Sequence, residues 1–225
     1  MREVVLDTET TGLDPTAGHR IVEIGCIELE NHVPTGREFQ VYVNPEREMP
    51  PEAFEIHGLS SAFLAEHPVF ADVVDGFLEF IGDATLVIHN AAFDLGFINA
   101  ELARCKLAAV SSERAVDTVR MARCKHPGAP ANLDALCRRF GVDAAARTRH
   151  GALLDAQLLS EVYLALKGGR QPGLVLAEAA PQAVTVAAES AATAPRAPRP
   201  HAPSDVERAA HEIFIDGVEK PIWRS

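Results

Sequence analysis

The run VVLDTETTGL near the start of the chain passes from aliphatic residues straight into two carboxylates. No other feature constrains the fold as tightly. Val4 to Leu6 read as the inside of a buried strand, Glu3–Thr8. Asp7 and Glu9 are two residues apart on that extended chain, so they share a face and can converge on one cation. Thr10 and Gly12 follow at once; Thr10 is expected to brace the turn and Gly12 to let it bend. A D-x-E strand end alone is often a solvated turn. It becomes chemistry only if the fold delivers further ligands from distant segments.

Two such segments occur. HNAAFD ends on Asp94, in the first turn of a helix that follows a short β-rich run at Thr85–Ile88. A carboxylate there can be a mere dipole partner, but Asn90 and Phe93 add a polar group and a ring to the same loop. HGALLD places His150 on a loop and Asp155 at the start of a helix. Arg147, Arg149 and His150 make that loop basic, which suits a base that swings in over bound substrate. Four hard oxygen ligands with one imidazole suit two-metal phosphodiester hydrolysis, with Mg²⁺ or Mn²⁺ preferred over zinc. No G-x-x-x-x-G-K-[ST], G-x-G-x-x-G or G-x-S-x-G occurs, which removes several rival enzyme classes.

The order of elements gives an α/β domain with a mixed sheet. Arg20–Leu29 and Glu38–Val43 read as strands that form an antiparallel meander with the first, turning near Asp14-Pro15 and over Asn31–Gly36. Helical spacing covers Pro68–Ile81, Phe93–Cys105, Thr118–Cys124, Leu133–Phe140 and Ala152–Leu166, the last ended by Gly168-Gly169. With 47% hydrophobic and only 6% aromatic residues, aliphatic packing must dominate the core.

Net charge is −11, against a simple basic duplex-coating protein, but it is unevenly placed. Residues 1–103 carry 4 Lys and Arg against 19 Asp and Glu, whereas 104–149 carry 10 against 4. The basic stretch runs into His150 and is either a phosphate-tracking surface or a set of solvated helix faces. The four cysteines show no C-x-x-C pairing and no signal peptide precedes them, so reduced thiols in a cytoplasmic protein are expected. No apolar run is long enough to span a membrane.

After Leu176 the composition changes: Ala takes 10 of the 24 positions from 177 to 200, and Pro takes 4. Residues 177–203 are read as a linker. Sequence character returns at 204–225, where Ser204 and Glu207 form a capping-box pattern. Ile213, Phe214, Ile215 and Trp223, the only tryptophan, suit a partner-binding segment that orders on docking.

At these motifs the chain resembles the DEDD exonucleases, in the subclass with a catalytic histidine. The resemblance covers about residues 1–170 and all three motifs. It implies a ribonuclease-H-like fold: a mixed five-stranded sheet flanked by helices, here followed by a flexible C-terminal tail. It implies 3′→5′ exonuclease activity, with Asp7, Glu9, Asp94 and Asp155 holding two divalent cations and His150 as general base. Thr8, Thr10, His57 (in the IHGL run at 56–59), Asn90 and Phe93 would contact the 3′-terminal nucleotide. Residues 171–176, through Gln171, Leu174 and Leu176, resemble a peptide that binds the bacterial sliding clamp. The segment 204–225 resembles, more loosely, a tail that binds a polymerase catalytic subunit. The expected function is replicative proofreading on a single-stranded DNA 3′ end. Trimming of RNA 3′ ends is the rival reading, because the motifs do not read the 2′-hydroxyl. A scaffold linking clamp and polymerase is the third.

Overall fold

The computed structural model describes residues 1–145, 147, 149–169 and 203–217. Five strands, β1 (Arg2–Thr10), β2 (Ile21–Glu30), β3 (Val33–Tyr42), β4 (Thr85–Ile88) and β5 (Ala115–Asp117), form one sheet in the order β3-β2-β1-β4-β5. β1–β2 and β2–β3 pair antiparallel, while β1–β4 and β4–β5 pair parallel. This is the mixed five-stranded, ribonuclease-H-like α/β arrangement expected from the sequence.

β1 lies at the centre of the sheet, and its alternation assigns the two faces. Val4 and Leu6 join Phe70, Phe77, Phe97 and Ile98 in one core cluster. That face is covered by α3 (Phe70–Ile81) and α4 (Ala91–Arg104). Val5 joins Ile27, Val87, Leu136, Leu159 and Tyr163 in a second cluster. The second face is covered by α5 (Thr118–Lys125), α6 (Leu133–Phe140) and α7 (Ala152–Leu166). Burial on both faces explains why β1 reads as an unbroken apolar run rather than as an alternating one.

Some elements differ from the sequence reading. β3 starts at Val33 rather than Glu38, because Asn31 and His32 take positive φ (52° and 69°) and close a two-residue hairpin. Its first six residues are exposed, so no alternation announces them. Helices α1 (Pro51–His57) and α2 (Ser61–Leu64), and strand β5, were not anticipated; each is too short to display a period.

The contacts divide the chain into a unit of residues 1–176 and a unit of residues 177–225. Within the second, helix α8 (Asp205–Asp216) carries the expected capping box: the Ser204 hydroxyl accepts from Glu207 N–H, and the Glu207 carboxylate accepts from Ser204 N–H. Ile213 and Phe214 are exposed and Ile215 is buried. The peptide at 171–176, the linker up to residue 202 and Trp223 lie outside the described residues.

Candidate active site

The pairing of β1 with β4 sets the site. Leu6 is opposite Ile88, the last residue of β4, so Asp7 is the first β1 residue to run past that strand. The chain leaving β4 turns through Asn90, held in the left-handed region at φ 70°, directly into α4. Asp94 therefore enters at the same sheet end as Asp7, in the first turn of α4. Glu9 follows two residues along the same face, at a register irregularity between β1 and β2.

Asp155 arrives from the first turn of α7, and β2 places that helix. Gly25 faces Asp7 across the β1–β2 ladder. A Cβ on Gly25 would lie 2.3 Å from Ala152 C and Leu153 N, so the backbone of β2 abuts the start of α7. Two residues away, the buried Glu23 accepts the Ala152 N–H at 3.1 Å and satisfies one of the free donors of α7. Gly25 and Glu23 are functional in this sense, and nothing in their spacing announces it.

The four acids and His150 line one cavity of about 740 Å³. Burial, then the charges of Asp94, Glu9 and Asp155, push Asp7 well above the ordinary carboxylate range. Burial and the neighbouring Asp155, Glu23 and Asp94 raise Glu9 to about 8. Burial raises Asp94 to about 7, although hydrogen bonds from Thr8 oppose it. Thr8 donates to Asp94 Oδ1 from its hydroxyl at 2.7 Å and from its backbone at 3.1 Å. Burial thus favours the protonated forms of Glu9 and Asp94 near neutral pH, and a cation at the site would oppose this.

Arg147 supplies one such cation. Its Nε and Nη2 donate to the two oxygens of Asp155 at 2.5 and 2.6 Å, and Nη1 donates to Asp134. Nη2 also donates to His150 Nδ1 at 2.9 Å. Because a guanidinium only donates, Nδ1 is the acceptor in this contact; the same Nδ1 lies 3.3 Å from Asp155 Oδ2. Arg147 was read from sequence only as part of a basic loop. Its role as the partner of Asp155 depends on where that loop folds.

The remaining predicted residues distribute as follows. Thr10 donates to Gly12 O at 2.7 Å and braces the turn, as expected. His57, at the end of α1, is buried in the cavity wall; burial lowers its pKa and keeps the ring neutral. Its Nδ1 accepts from Leu59 N–H at 3.0 Å, so Nε2 carries the proton; among the described residues it makes no full hydrogen bond, and the Thr10 backbone is the acceptor beside the ring. Phe93 lines the same cavity and packs on Phe97. Asn90 does not line it, but faces a neighbouring cavity instead.

Residues 4–163 match the RNase T family model, described as an exonuclease. The chain belongs to this exonuclease family. DNA polymerase III subunit epsilon of Salmonella typhimurium is 43% identical over 241 residues, covering 100% of this chain and 98% of that protein. The subunit of the same name from Rickettsia felis is 56% identical over 174 residues, 76% of each chain. Among solved structures, Exonuclease X in complex with 5′ overhanging duplex DNA superposes with a TM-score of 0.57 at 25% identity, covering 72% of this chain and 89% of that one. The nuclease domain of 3′hExo, a DEDDh family member bound to rAMP, shares the fold with a TM-score of 0.63 at 18% identity, covering 74% and 92%.

The donors present fit the divalent metal ions that this family implies. Glu9, His150 and Asp155 each offer a ligand atom within 4.8 Å of the others. Asp7 and Asp94 add two carboxylates whose proton affinities are raised chiefly by burial, a cost that a bound cation would offset. Among the described residues, no helix is long and apolar enough to cross a membrane.

Proposed function

We propose that this exonuclease removes mispaired 3′-terminal nucleotides from DNA as the proofreading subunit of a replicative polymerase in the cytoplasm. The single observation that carries this reading is the likeness to polymerase III epsilon subunits along the whole chain, beyond the nuclease motifs.

Asp7, Glu9, Asp94 and Asp155 would hold two cations, Mg²⁺ or Mn²⁺, which when bound polarise the scissile phosphate and favour hydroxide over water. His150 stands on an exposed loop, and its backbone N–H is tied to Ile56 O beside His57. Once released from Arg147, its Nδ1 lone pair can take the proton of the attacking water. The buried Nε2–H of His57 offers a donor to an oxygen of the terminal nucleotide. Phe93 offers a ring on which the terminal base can stack. Thr8 fixes Asp94, and Thr10 fixes the turn after Glu9.

In this reading Gln171, Leu174 and Leu176 bind the sliding clamp, and Ile213, Phe214, Ile215 and Trp223 bind the polymerase catalytic subunit. The exposure of Ile213 and Phe214 on α8 supports an apolar docking contact. The test is release of terminal nucleotides from matched DNA and RNA 3′ ends, alongside co-purification with the polymerase catalytic subunit before and after deletion of 204–225. Preference for DNA and loss of co-purification are expected. Preference for RNA, or co-purification that survives the deletion, would overturn the reading.

A further inference from the structure

Beside the catalytic cavity lies a second one of about 580 Å³ that has no part in the chemistry above. His89 and Asn132 line both cavities, so the two adjoin along one rim. Arg120 and Arg123 project into the second cavity from α5, three residues apart and hence on one helix face. Neither guanidinium forms a hydrogen bond or an ion pair with any other described residue, in contrast to Arg20 and Arg147. Asp117 also lines this cavity, but its carboxylate is turned onto α5, accepting from Val119 N–H at 2.8 Å and Arg120 N–H at 3.3 Å. Asn90 adds an exposed amide that makes no capping bond.

We propose that this second cavity binds the backbone phosphates of the strand whose 3′ end occupies the catalytic cavity. The inference rests on the reading of the catalytic cavity as a site for a DNA 3′ end, and adds the path by which the strand leaves it. Charge decides the direction. Another part of the catalytic rim carries Asp14 and Glu52, and residues 1–103 are strongly acidic, so a polyanion leaving there meets repulsion. The rim at His89 and Asn132 opens instead onto two unpaired guanidiniums. Phosphate contacts of this kind position a strand without reading its sequence.

The magnitude follows from counterion release. On single strands each neutralised phosphate contributes a salt slope of about 0.7, which at 0.1 M salt is about 0.7 log units of affinity. Two contacts correspond to about 25-fold. The test measures binding of an oligothymidylate of about a dozen nucleotides to the full chain in an Asp7→Ala background, which leaves the strand intact. Adding Arg120→Gln and Arg123→Gln together should weaken binding about 25-fold at 0.1 M salt and lower the salt slope by about 1.4. Affinity for thymidine monophosphate, which fills only the catalytic cavity, should stay within about twofold. Unchanged oligonucleotide affinity, or an equal loss for the mononucleotide, would overturn the proposal.

Cys124 gives a second measurement that needs no arginine variant. It is exposed and lines the same cavity. In the Asp7→Ala chain, with both arginines kept, the oligonucleotide should slow its alkylation and the mononucleotide should not, as read site by site by mass spectrometry. Alkylation indifferent to the oligonucleotide would also overturn the proposal. If the wild-type chain binds the oligonucleotide and protects Cys124 but releases no nucleotide, the reading of the catalytic cavity fails and the phosphate path stands. If it binds no strand at all, both fall.

Discussion

Gly25→Ala tests how closely catalysis depends on the approach of β2 to α7. The added methyl would sit 2.3 Å from Ala152 C and Leu153 N and 2.5 Å from Ala152 O, where ordinary contact begins at 3.4 Å. All three obstacles are backbone atoms, so no rotamer change relieves the clash; the start of α7 must retreat by about 1 Å or β2 must buckle. Asp155 lies in that first turn and moves with it. A displacement of this size at a reacting centre costs on the order of 10²-fold in rate, or about 2.7 kcal/mol of barrier. Retreat would also stretch the bond from Ala152 N–H to Glu23. The assay is steady-state release of nucleotides from a 3′-labelled single strand, with circular dichroism to confirm that the sheet persists. Activity within threefold of wild type, in a folded variant, would show that Asp155 does not depend on this approach.

Two further outcomes follow from the electrostatics. Glu9 at about 8 and Asp94 at about 7 lie above their ordinary values of 4.5 and 3.8, so the metal-free folded state binds more protons than the unfolded state between those limits. Metal-free stability should therefore fall as pH rises from about 4.5 to 8, and added divalent cation should flatten the slope; thermal melts across pH with and without chelator read this, and a metal-free melting temperature that rises over that window would contradict it. Arg147→Gln leaves the buried Asp155 without its fork, so the metal-free protein should lose about 3 kcal/mol in denaturant unfolding and recover most of it with divalent cation; an unchanged midpoint would show that the pair contributes nothing to the fold.

The parts of this molecule legible in its sequence are those where one local pattern carries the information. β1 and β4 are short β-rich runs bounded by turn residues, and α3 and α7 repeat apolar positions at helical spacing. Asp7, Glu9, Asp94, His150 and Asp155 stood out because each joins a titratable group to the end of an apolar element. What sequence did not disclose depends on contact between distant segments. Gly25 matters for what its missing side chain admits, and nothing nearby in sequence records that Ala152 will pass against it. Arg147 and Arg149 are alike as members of a basic loop, yet Arg147 grips Asp155 whereas Arg149 lies over the Phe54 ring. Asn90 was grouped with Asp94 by proximity in the chain, but its left-handed backbone turns it toward the second cavity. α1 and α2 are too short to show a repeat, although α1 delivers His57 to the cavity wall.

The central claim is that four acids from three segments, with His150, form one hydrolytic centre for a 3′ end. Its most direct test compares the wild-type chain with Asp7→Ala on a primer bearing a mispaired 3′ nucleotide, with divalent metal present and products resolved base by base. The account predicts stepwise release of mononucleotides from the 3′ end by the wild type and none by the folded variant. Metal-dependent shortening that persists in Asp7→Ala would contradict it.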